Sequence, residues 1–404
     1  MKSRRAQITS QLEIIKKNTE KIITEKELEE RIKLSIEKNK PLRVKLGIDP
    51  TAQDIHLGFV LVLKKLRDFQ QLGHKVILVI GDFTAKIGDP TGRNISRPPL
   101  SDKEIKTNMK SYFKQIFKVI DSKNLEVRYN SEWLTKLNFK DIIEIFSKIT
   151  LQKITEREDF QKRLRENNPI FLNEIIYPIL QAYDSLYLKS DIEIGGVDQE
   201  LNCLMGRELQ QKFNQQPQII ILMPLLIGLD GKNKMSKSLK NYIGISEPPD
   251  EIFGKVMSIP DSLLNQWLNL TTNLTDQEIK KLLTKHPMEI KKELGHEIIK
   301  QYYNENKAKL AAKKFEATFQ RKDYSSLAKE VVIPKEIIDM PLAEVLVNLN
   351  FVNSKSEAKR LIQQGGIEIN GQKIISDDPK FVMNINDGDL IRIGKKKFFK
   401  LIKD

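Results

Sequence analysis

The sequence predicts an α/β protein, with a parallel-sheet domain, a helical segment and a small α+β tail. Three observations carry that expectation. Lys75-Val-Ile-Leu-Val-Ile80 is an apolar run bounded by glycines, the pattern of a strand buried on both faces of a parallel sheet. Residues 44–80 read strand, helix, strand, a βαβ unit whose right-handed crossover belongs to an open parallel sheet. Beyond residue 335 the pattern changes to short helices and strand-like segments around an Asn370-Gly371 turn.

The elements follow in order. Residues 1–40 have the helical spacing of two charged amphipathic helices rich in Glu and Lys. Val44 to Ile48 reads as a short buried strand that ends in Asp49-Pro50-Thr51-Ala52, a turn with helix-capping residues. Leu57 to Gln71 has helical periodicity through Val62, Leu63, Leu66 and Phe69 and is stopped by Gly73. Helical pattern dominates from Asp102 to Asp191, with Leu125 to Tyr129 as a strand within it. Ile192 to Ile194 is a strand running into a Gly-Gly turn, and Ile219 to Met223 is another. Residues 250–335 read as helical and lysine-rich. Pro341 to Asn350 and Ser354 to Gln364 are short helices, and Ile367 to Ile374 and Leu390 to Lys400 are strand-like. The expected division is 1–40 as helices packing on a Rossmann-like domain of residues 41–248, then a helical domain at 249–335 and an α+β domain at 336–404.

Composition narrows the function. Lys and Arg exceed Asp and Glu by 68 to 54, giving a net charge of +14. Such an excess favours a polyanionic partner, nucleic acid before membrane, although an AT-rich genome also raises Lys, Asn and Ile. A single cysteine, Cys203, excludes an intramolecular disulfide framework and a multi-Cys zinc site. The four histidines show no metal-ligand spacing, so no metal site is expected. No apolar run reaches membrane-spanning length. The basic N-terminus is not followed by a signal-peptide core, and the acidic residues after it are unlike a transit peptide. The protein is expected to work where it is made, in a cytoplasm or in the stroma or matrix of an organelle that encodes it.

Two turns carry chemistry. At His56-Leu57-Gly58, a helix N-terminus after a parallel strand offers free N–H groups and a positive dipole end to phosphate. Gly58 lets a purine or ribose come close, and His56 can donate to a phosphate oxygen. Far downstream, a loop opening with Gly228 and Gly231 carries Lys234-Met235-Ser236-Lys237-Ser238. Two ammonium groups there can meet the charge that develops on departing pyrophosphate, stabilising the transition state more than bound ATP. Each signal alone is modest, since capped helices and solvated lysine loops are common.

Together they resemble the HIGH-type turn and KMSKS loop of class I aminoacyl-tRNA synthetases. Gly47-Ile-Asp-Pro-Thr-Ala-Gln-Asp-Ile-His-Leu-Gly58, Gly88-Asp-Pro-Thr-Gly92, Tyr177-xxx-Gln181-xx-Asp184 and Gly195-Gly-Val-Asp-Gln199 narrow the resemblance to the tyrosyl-tRNA synthetases, over essentially the whole chain. The resemblance implies roles. Tyr177, Gln181 and Asp89 would hold a substrate α-ammonium, with Gly47 beside them. Asp184 would accept from the substrate phenol, and Gln199 would lie near the carboxylate. Asp198 would bind the ATP ribose. Asp49 and Thr51 would flank substrate and phosphates, with Arg93 and Arg97 helping to hold pyrophosphate. His56, Lys234 and Lys237 would be catalytic by charge stabilisation. ATP would arrive as its Mg²⁺ complex, with no tightly bound cofactor, and the enzyme would be a homodimer acting on tRNA(Tyr).

Two positions depart from the family pattern. Phe59 replaces the second histidine of the HIGH-type turn and cannot hydrogen-bond a nucleotide. Lys45 stands where many relatives carry a tyrosine that contacts the substrate hydroxyl. The C-terminal run Ser354 to Lys373 resembles the RNA-binding module first known from ribosomal protein S-four. In it Lys355, Lys359, Arg360 and Lys373 would follow RNA phosphates, and Lys395-Lys396-Lys397 would add charge or only solvate the tail. Two other readings stay open: a non-catalytic RNA-binding paralogue, for which Phe59 and Lys45 speak, and a synthetase for tryptophan.

Overall fold

The computed structural model describes residues 2–89, 100–317, 328–383, 385–394 and 397–403. It forms two compact units, Met1–Pro248 with Lys255–Tyr302, and Pro249–Gly254 with Tyr303–Asp404.

The first unit is built on a six-stranded sheet: β1 (Lys21–Ile23), β2 (Arg43–Ile48), β3 (Lys75–Ile80), β4 (Leu125–Tyr129), β5 (Ile192–Gly196) and β6 (Ile219–Met223), in the spatial order β1-β6-β5-β2-β3-β4. Strands β2 to β6 pair parallel, as the apolar runs predict. The side chains of β6 are wholly buried, which needs cover on both faces. Helix α1 (Lys2–Lys16) and helix α2 (Glu25–Lys38) precede β2, and α3 (Leu57–Gln71) crosses from β2 to β3. From β2 the chain goes one way to β3, while β5 lies on the other side of β2. The carboxyl ends of β2 and β5 therefore flank a topological switch point, where open α/β sheets form their crevice.

One strand differs from expectation. The segment between the first two helices is β1, paired antiparallel with β6 through Lys21–Leu222, Ile22–Ile221 and Ile23–Ile220. A three-residue edge strand has no periodicity to read, and its partner lies far away in sequence. The N-terminal helix is fastened by a buried lysine. Lys65 of α3 donates to the carbonyl oxygens of Ile14 (3.1 Å), Ile15 (2.8 Å) and Lys17 (2.7 Å), placing a cation on the negative end of α1.

Helix α4 (Asp102–Ile116) begins at a Ser101–Glu104 capping box. The short helices α5 (Ser131–Leu134), α6 (Phe139–Phe146), α7 (Leu151–Thr155) and α8 (Glu158–Arg165) lead to α9 (Leu172–Leu188) and α10 (Glu200–Lys212), which pack on each other. The Gly195-Gly196 step ends β5 itself, and a 3-10 turn over Val197–Gln199 follows. Helix α11 (Pro249–Met257), whose residues to Gly254 belong to the second unit, is followed by α12 (Leu264–Thr271), α13 (Asp276–Leu282) and α14 (Pro287–Tyr302). Among the described residues, no helix is long and apolar enough to cross a membrane.

In the second unit, α15 (Glu305–Phe315) precedes β7 (Lys329–Ile333), α16 (Leu342–Asn348), α17 (Lys355–Gln363), β8 (Ile367–Ile369), β9 (Gln372–Ile374), β10 (Leu390–Ile393) and β11 (Lys397–Lys403). The sheet order is β7-β11-β10-β8-β9. Leu342, Leu346, Ile362, Ile367 and Ile391 lie in its core. Two details depart from expectation. Residues 329–333, read as part of the helical stretch, form β7 parallel to β11; the β-branched run Val331-Val332-Ile333 favours extended backbone. The strand-like stretch Leu390 to Lys400 contains two antiparallel strands, β10 and the start of β11, rather than one.

Candidate active site

A cavity of about 350 Å³ opens at the carboxyl ends of β2 and β5. It brings together Gly47, Asp49, Thr51, His56, Gly58, Asp89, Tyr177, Gln181, Asp184, Asp198, Gln199, Lys234 and Lys237, drawn from motifs spread over nearly two hundred positions. Arg93 and Arg97 lie outside the described residues.

One end is a slot walled by α9. Tyr177, Gln181 and Asp184 share a helical face, as their spacing requires. The Tyr177 hydroxyl donates to Asp49 Oδ2 at 2.9 Å, and the Thr84 hydroxyl to Asp49 Oδ1 at 2.8 Å. Gly81 makes that contact possible, because a Cβ there would come within 1.9 Å of Asp49 Oδ1. Asp49 keeps some surface access, but protein crowds it. Loss of water pushes its carboxyl up to about 7, with nearby Asp89 and Asp184 adding to the rise and the two hydroxyls opposing it. The same crowding raises the Tyr177 phenol well above its usual range.

At the foot of the slot, Asp184 is buried. It accepts from Trp133 Nε1 at 2.8 Å and, at 3.5 Å, from Asn130 Nδ2. Burial raises its carboxyl to about 7 against the lowering pull of Lys45 and these two donors. Opposite, Gln199 donates to Asp89 at 2.9 Å and accepts from Asn202 at 2.9 Å, which in turn accepts from Arg157 at 3.0 Å. Gly47 leaves the edge of β2 open, since a Cβ there would meet no protein atom within 4 Å.

The other end is cationic. His56 is the N-cap of α3, and its Nδ1 accepts from the Phe59 N–H at 3.2 Å. In the neutral ring the proton therefore sits on Nε2, which can donate. Burial, helped by Lys237 and Lys234, pushes the His56 pKa down to about 3, so the ring is neutral at physiological pH. Gly58 is hemmed by protein: its N–H faces Met235 Sδ at 3.4 Å, and a Cβ there would lie 3.2 Å from the His56 ring and 3.5 Å from Met235. Phe59 also lines the cavity.

The lysine loop is anchored by its apolar residue. Met235 is buried while the lysines on either side reach polar partners. Lys234 Nζ meets Asp198 at 2.6 Å. Lys237 Nζ donates at 2.9 Å to the Asp54 carbonyl and at 2.9 Å to the Tyr112 hydroxyl. Asp230 shapes the loop by accepting from the Asn233 side-chain amide at 3.0 Å, from the N–H groups of Lys232 and Asn233 and from the Asn241 amide. Those donors hold its carboxyl down at about 2.

Several residues of this constellation escaped sequence reasoning. Thr84 lies just beyond the end of β3 and Asn130 directly follows β4, so the rule that ligands sit beyond strand carboxyl ends could have pointed to both. Tyr112 gives no such signal, being one aromatic on a helix. Glu193, a carboxylate inside the apolar strand Ile192–Ile194, was legible as a buried charge that needs a partner.

In the second unit, Ser354 caps α17 by accepting from the Glu357 N–H at 3.2 Å. Lys355, Lys359 and Arg360 on that helix and Lys373 on β9 are all exposed. Lys355 pairs with Glu344 at 2.8 Å. Of the Lys395-Lys396-Lys397 run, the first two fall outside the described residues.

Comparison with known proteins agrees with this architecture. Residues 37–320 match the family described as tRNA synthetases class I (W and Y), and residues 340–380 match the S4 domain. The chain is 47% identical over 393 residues to the tyrosine–tRNA ligase of Aquifex aeolicus, covering 97% of this chain and 98% of the relative. It is 45% identical to that of Thermotoga maritima, covering 97% of each. Among solved structures, a C-terminally truncated mitochondrial tyrosyl-tRNA synthetase of Coccidioides posadasii superposes with a TM-score of 0.62 at 20% identity, over 78% of this chain and 96% of that one. The tyrosyl-tRNA synthetase of Archaeoglobus fulgidus, solved with L-tyrosine, gives 0.59 at 22% identity over 76% and 99%. At such identities these structures speak to the fold alone. The sequence relatives and the family match, laid over this cavity, place the chain in the class I tRNA synthetases of the W and Y family, and within it in the tyrosine–tRNA ligase family.

Proposed function

We propose that this cavity joins L-tyrosine to tRNA(Tyr) in two steps. The tyrosine carboxylate attacks the α-phosphorus of ATP, presented with Mg²⁺, giving tyrosyl-adenylate and pyrophosphate. A terminal ribose hydroxyl of the tRNA then attacks the acyl carbon and AMP leaves. One observation carries the reading: a single cavity has carboxylates and a tyrosine hydroxyl at one end and a neutral imidazole with two ammonium groups at the other. The acidic end, with Asp49, Asp89, Tyr177 and Gln181, suits the α-ammonium. Asp184 suits the phenol, and phenylalanine would offer this buried carboxylate no donor beyond Trp133 and Asn130. Asp198 suits the ribose and Gln199 the region of the carboxylate. Gly47, Thr51 and Gly58 border the path between the two ends. His56, Lys234 and Lys237, with Arg93 and Arg97 assigned by family resemblance, suit the phosphates. No residue has to form a covalent bond; positioning and charge stabilisation suffice. Tyrosine-dependent ATP–pyrophosphate exchange by the purified protein tests this. Absence of exchange, or exchange driven equally by tryptophan, would refute it.

Asp49 and Asp184, each raised to about 7, make binding depend on pH. A cation and a phenol donor both prefer the ionised carboxylates, so tyrosine affinity is expected to fall as pH drops through about 7. The fall should approach about tenfold per pH unit for each proton that must leave. Stability moves the other way: the extra protons favour the folded form at low pH, and that contribution is lost as pH rises through about 7. Fluorescence titration between about pH 6 and pH 8 checks the binding trend, and a flat profile would contradict it.

The helical segment at 249–335 is assigned to the anticodon arm and the domain at 336–404 to further tRNA contact, with residues 1–40 as a support for the domain at 41–248. Replacing Lys355, Lys359 and Arg360 by Ala together is expected to reduce the salt dependence of tRNA binding by about two to three in log–log slope. Exchange, which needs no tRNA, should be unchanged. An unaltered slope would remove this helix from the RNA surface.

A homodimer belongs to the same proposal. Large exposed apolar side chains concentrate on α6 to α9, with Phe139 and Leu172 each 77% exposed and Ile143, Leu151, Leu164 and Phe171 more than half exposed. Equilibrium sedimentation showing a single chain at micromolar concentration would rule it out. A cytoplasmic location, or the matrix or stroma of an organelle, rests on the bacterial sources of the relatives.

A further inference from the structure

Beneath the tyrosine slot lies a buried ion pair that the reaction itself does not call for. Lys45 on β2 and Glu193 on β5 are register partners across the sheet. They are 1% and 2% exposed, and their charged atoms lie 2.9 Å apart. Buried pairs are often no more stabilising than apolar residues of equal volume, so what this one holds in place is informative. Glu193 Oε1 also accepts from Gln181 Nε2 at 3.3 Å, and Oε2 accepts from the Ser185 hydroxyl at 3.0 Å and from Gln218 Nε2. Lys45 Nζ donates in addition to Ser185 Oγ at 2.6 Å. Of these partners, Gln181 is the one that also lines the cavity.

An ionised carboxylate has no proton to give, so only the nitrogen of the Gln181 amide can face it. That settles an orientation usually assigned by inspection of the whole network. The Gln181 oxygen, an acceptor, is then the atom left for the cavity, on the same helical face as the Tyr177 hydroxyl and the Asp184 carboxylate. Turned over, the amide would present an N–H₂ to an incoming ammonium. Lys45 pairs with the same Oε1 that accepts from Gln181 and holds that oxygen in place.

We infer that the Lys45–Glu193 pair is a positioning device for substrate recognition: it locks the Gln181 amide with its oxygen toward the α-ammonium of the amino acid. The inference rests on reading the cavity as a tyrosine site. It gives Lys45, which departs from the family pattern, a task separate from contact with the phenol.

The test compares three ligands by equilibrium titration: tyrosine, tyrosinol, which keeps the ammonium but lacks the carboxylate, and hydroxyphenylpropionate, which lacks the ammonium. Glu193→Leu, which removes the acceptor, should weaken tyrosine and tyrosinol by about 10- to 100-fold and the deaminated acid by less than about twofold. The rate of adenylate formation at saturating tyrosine should stay within about threefold of the parent. Because Glu193→Leu leaves Lys45 uncompensated, the double variant Lys45→Met/Glu193→Leu, which removes both charges, should repeat the pattern. Gln181→Met, at a partly exposed position, should repeat it too, and adding Glu193→Leu to it should cost nothing further. Equal weakening of all three ligands would mean a purely structural role and overturn the inference. So would undiminished tyrosinol binding in Gln181→Met, however the Glu193 variants fold. A parent protein that binds none of the three ligands and shows no exchange would instead overturn the tyrosine reading itself.

Discussion

Lys237→Ala is expected to slow tyrosyl-adenylate formation by about 100- to 1000-fold while changing tyrosine affinity by less than about twofold. The ammonium lies at the cationic end of the cavity, bonded to the Tyr112 hydroxyl and the Asp54 carbonyl, away from the slot formed by Tyr177, Gln181 and Asp184. Negative charge grows on the bridging and terminal oxygens as pyrophosphate departs, so a cation there acts mainly on the transition state. Removing it leaves the loop in place, because Met235 and the Asp230–Asn241 contacts hold the backbone. Pre-steady-state fluorescence of adenylate formation, paired with tyrosine titration, separates the two effects. A parallel loss of rate and tyrosine binding would show that Lys237 shapes the slot instead.

His56→Ala should fail in two separable ways. The imidazole caps the helix, its Nδ1 receiving the Phe59 N–H, and Nε2–H is the donor proposed for a phosphate oxygen. Alanine removes the cap, at a cost of about 1 kcal/mol in stability, and the donor, at about 100-fold or more in adenylate formation. His56→Asn restores capping, since asparagine is among the best N-cap residues, but its amide is shorter. The asparagine variant is therefore expected to regain the parent melting temperature without regaining the parent rate. Recovery of both together would reduce His56 to a structural cap. Because the ring pKa is held at about 3, the pH–rate profile should show no histidine ionisation near neutrality.

The central strands and the helix between them were legible because their patterns are local. Val76 to Ile80 is apolar throughout and Leu57 to Gln71 repeats at helical spacing, so each declares itself within a few residues. The residues that line the cavity were legible for another reason: each turn alone is common, but the motifs around Asp49, His56, Tyr177, Asp198 and the paired lysines occur together in the order of one family. Strand β1 was not legible, since three residues at a sheet edge carry no period and draw their order from β6. Strand β7 was missed although Val331-Val332-Ile333 marks it, because the lysine-rich helical pattern before it outweighed three β-branched residues.

The sequence alone determined the α/β class, the order of its parts and the chemical types gathered for adenylation, since periodicity and turn composition are properties of neighbouring residues. Which atoms meet was decided only by the tertiary structure. That Lys45 lies against Glu193, that Lys237 reaches Tyr112, and that Thr84 and Tyr177 share the Asp49 carboxylate all depend on strand register and helix rotation. Those are set by packing between segments many residues apart. Protonation follows the same division: no reading of residue types places a histidine near 3 or two aspartates near 7, because desolvation and nearby charge act through space and not along the chain.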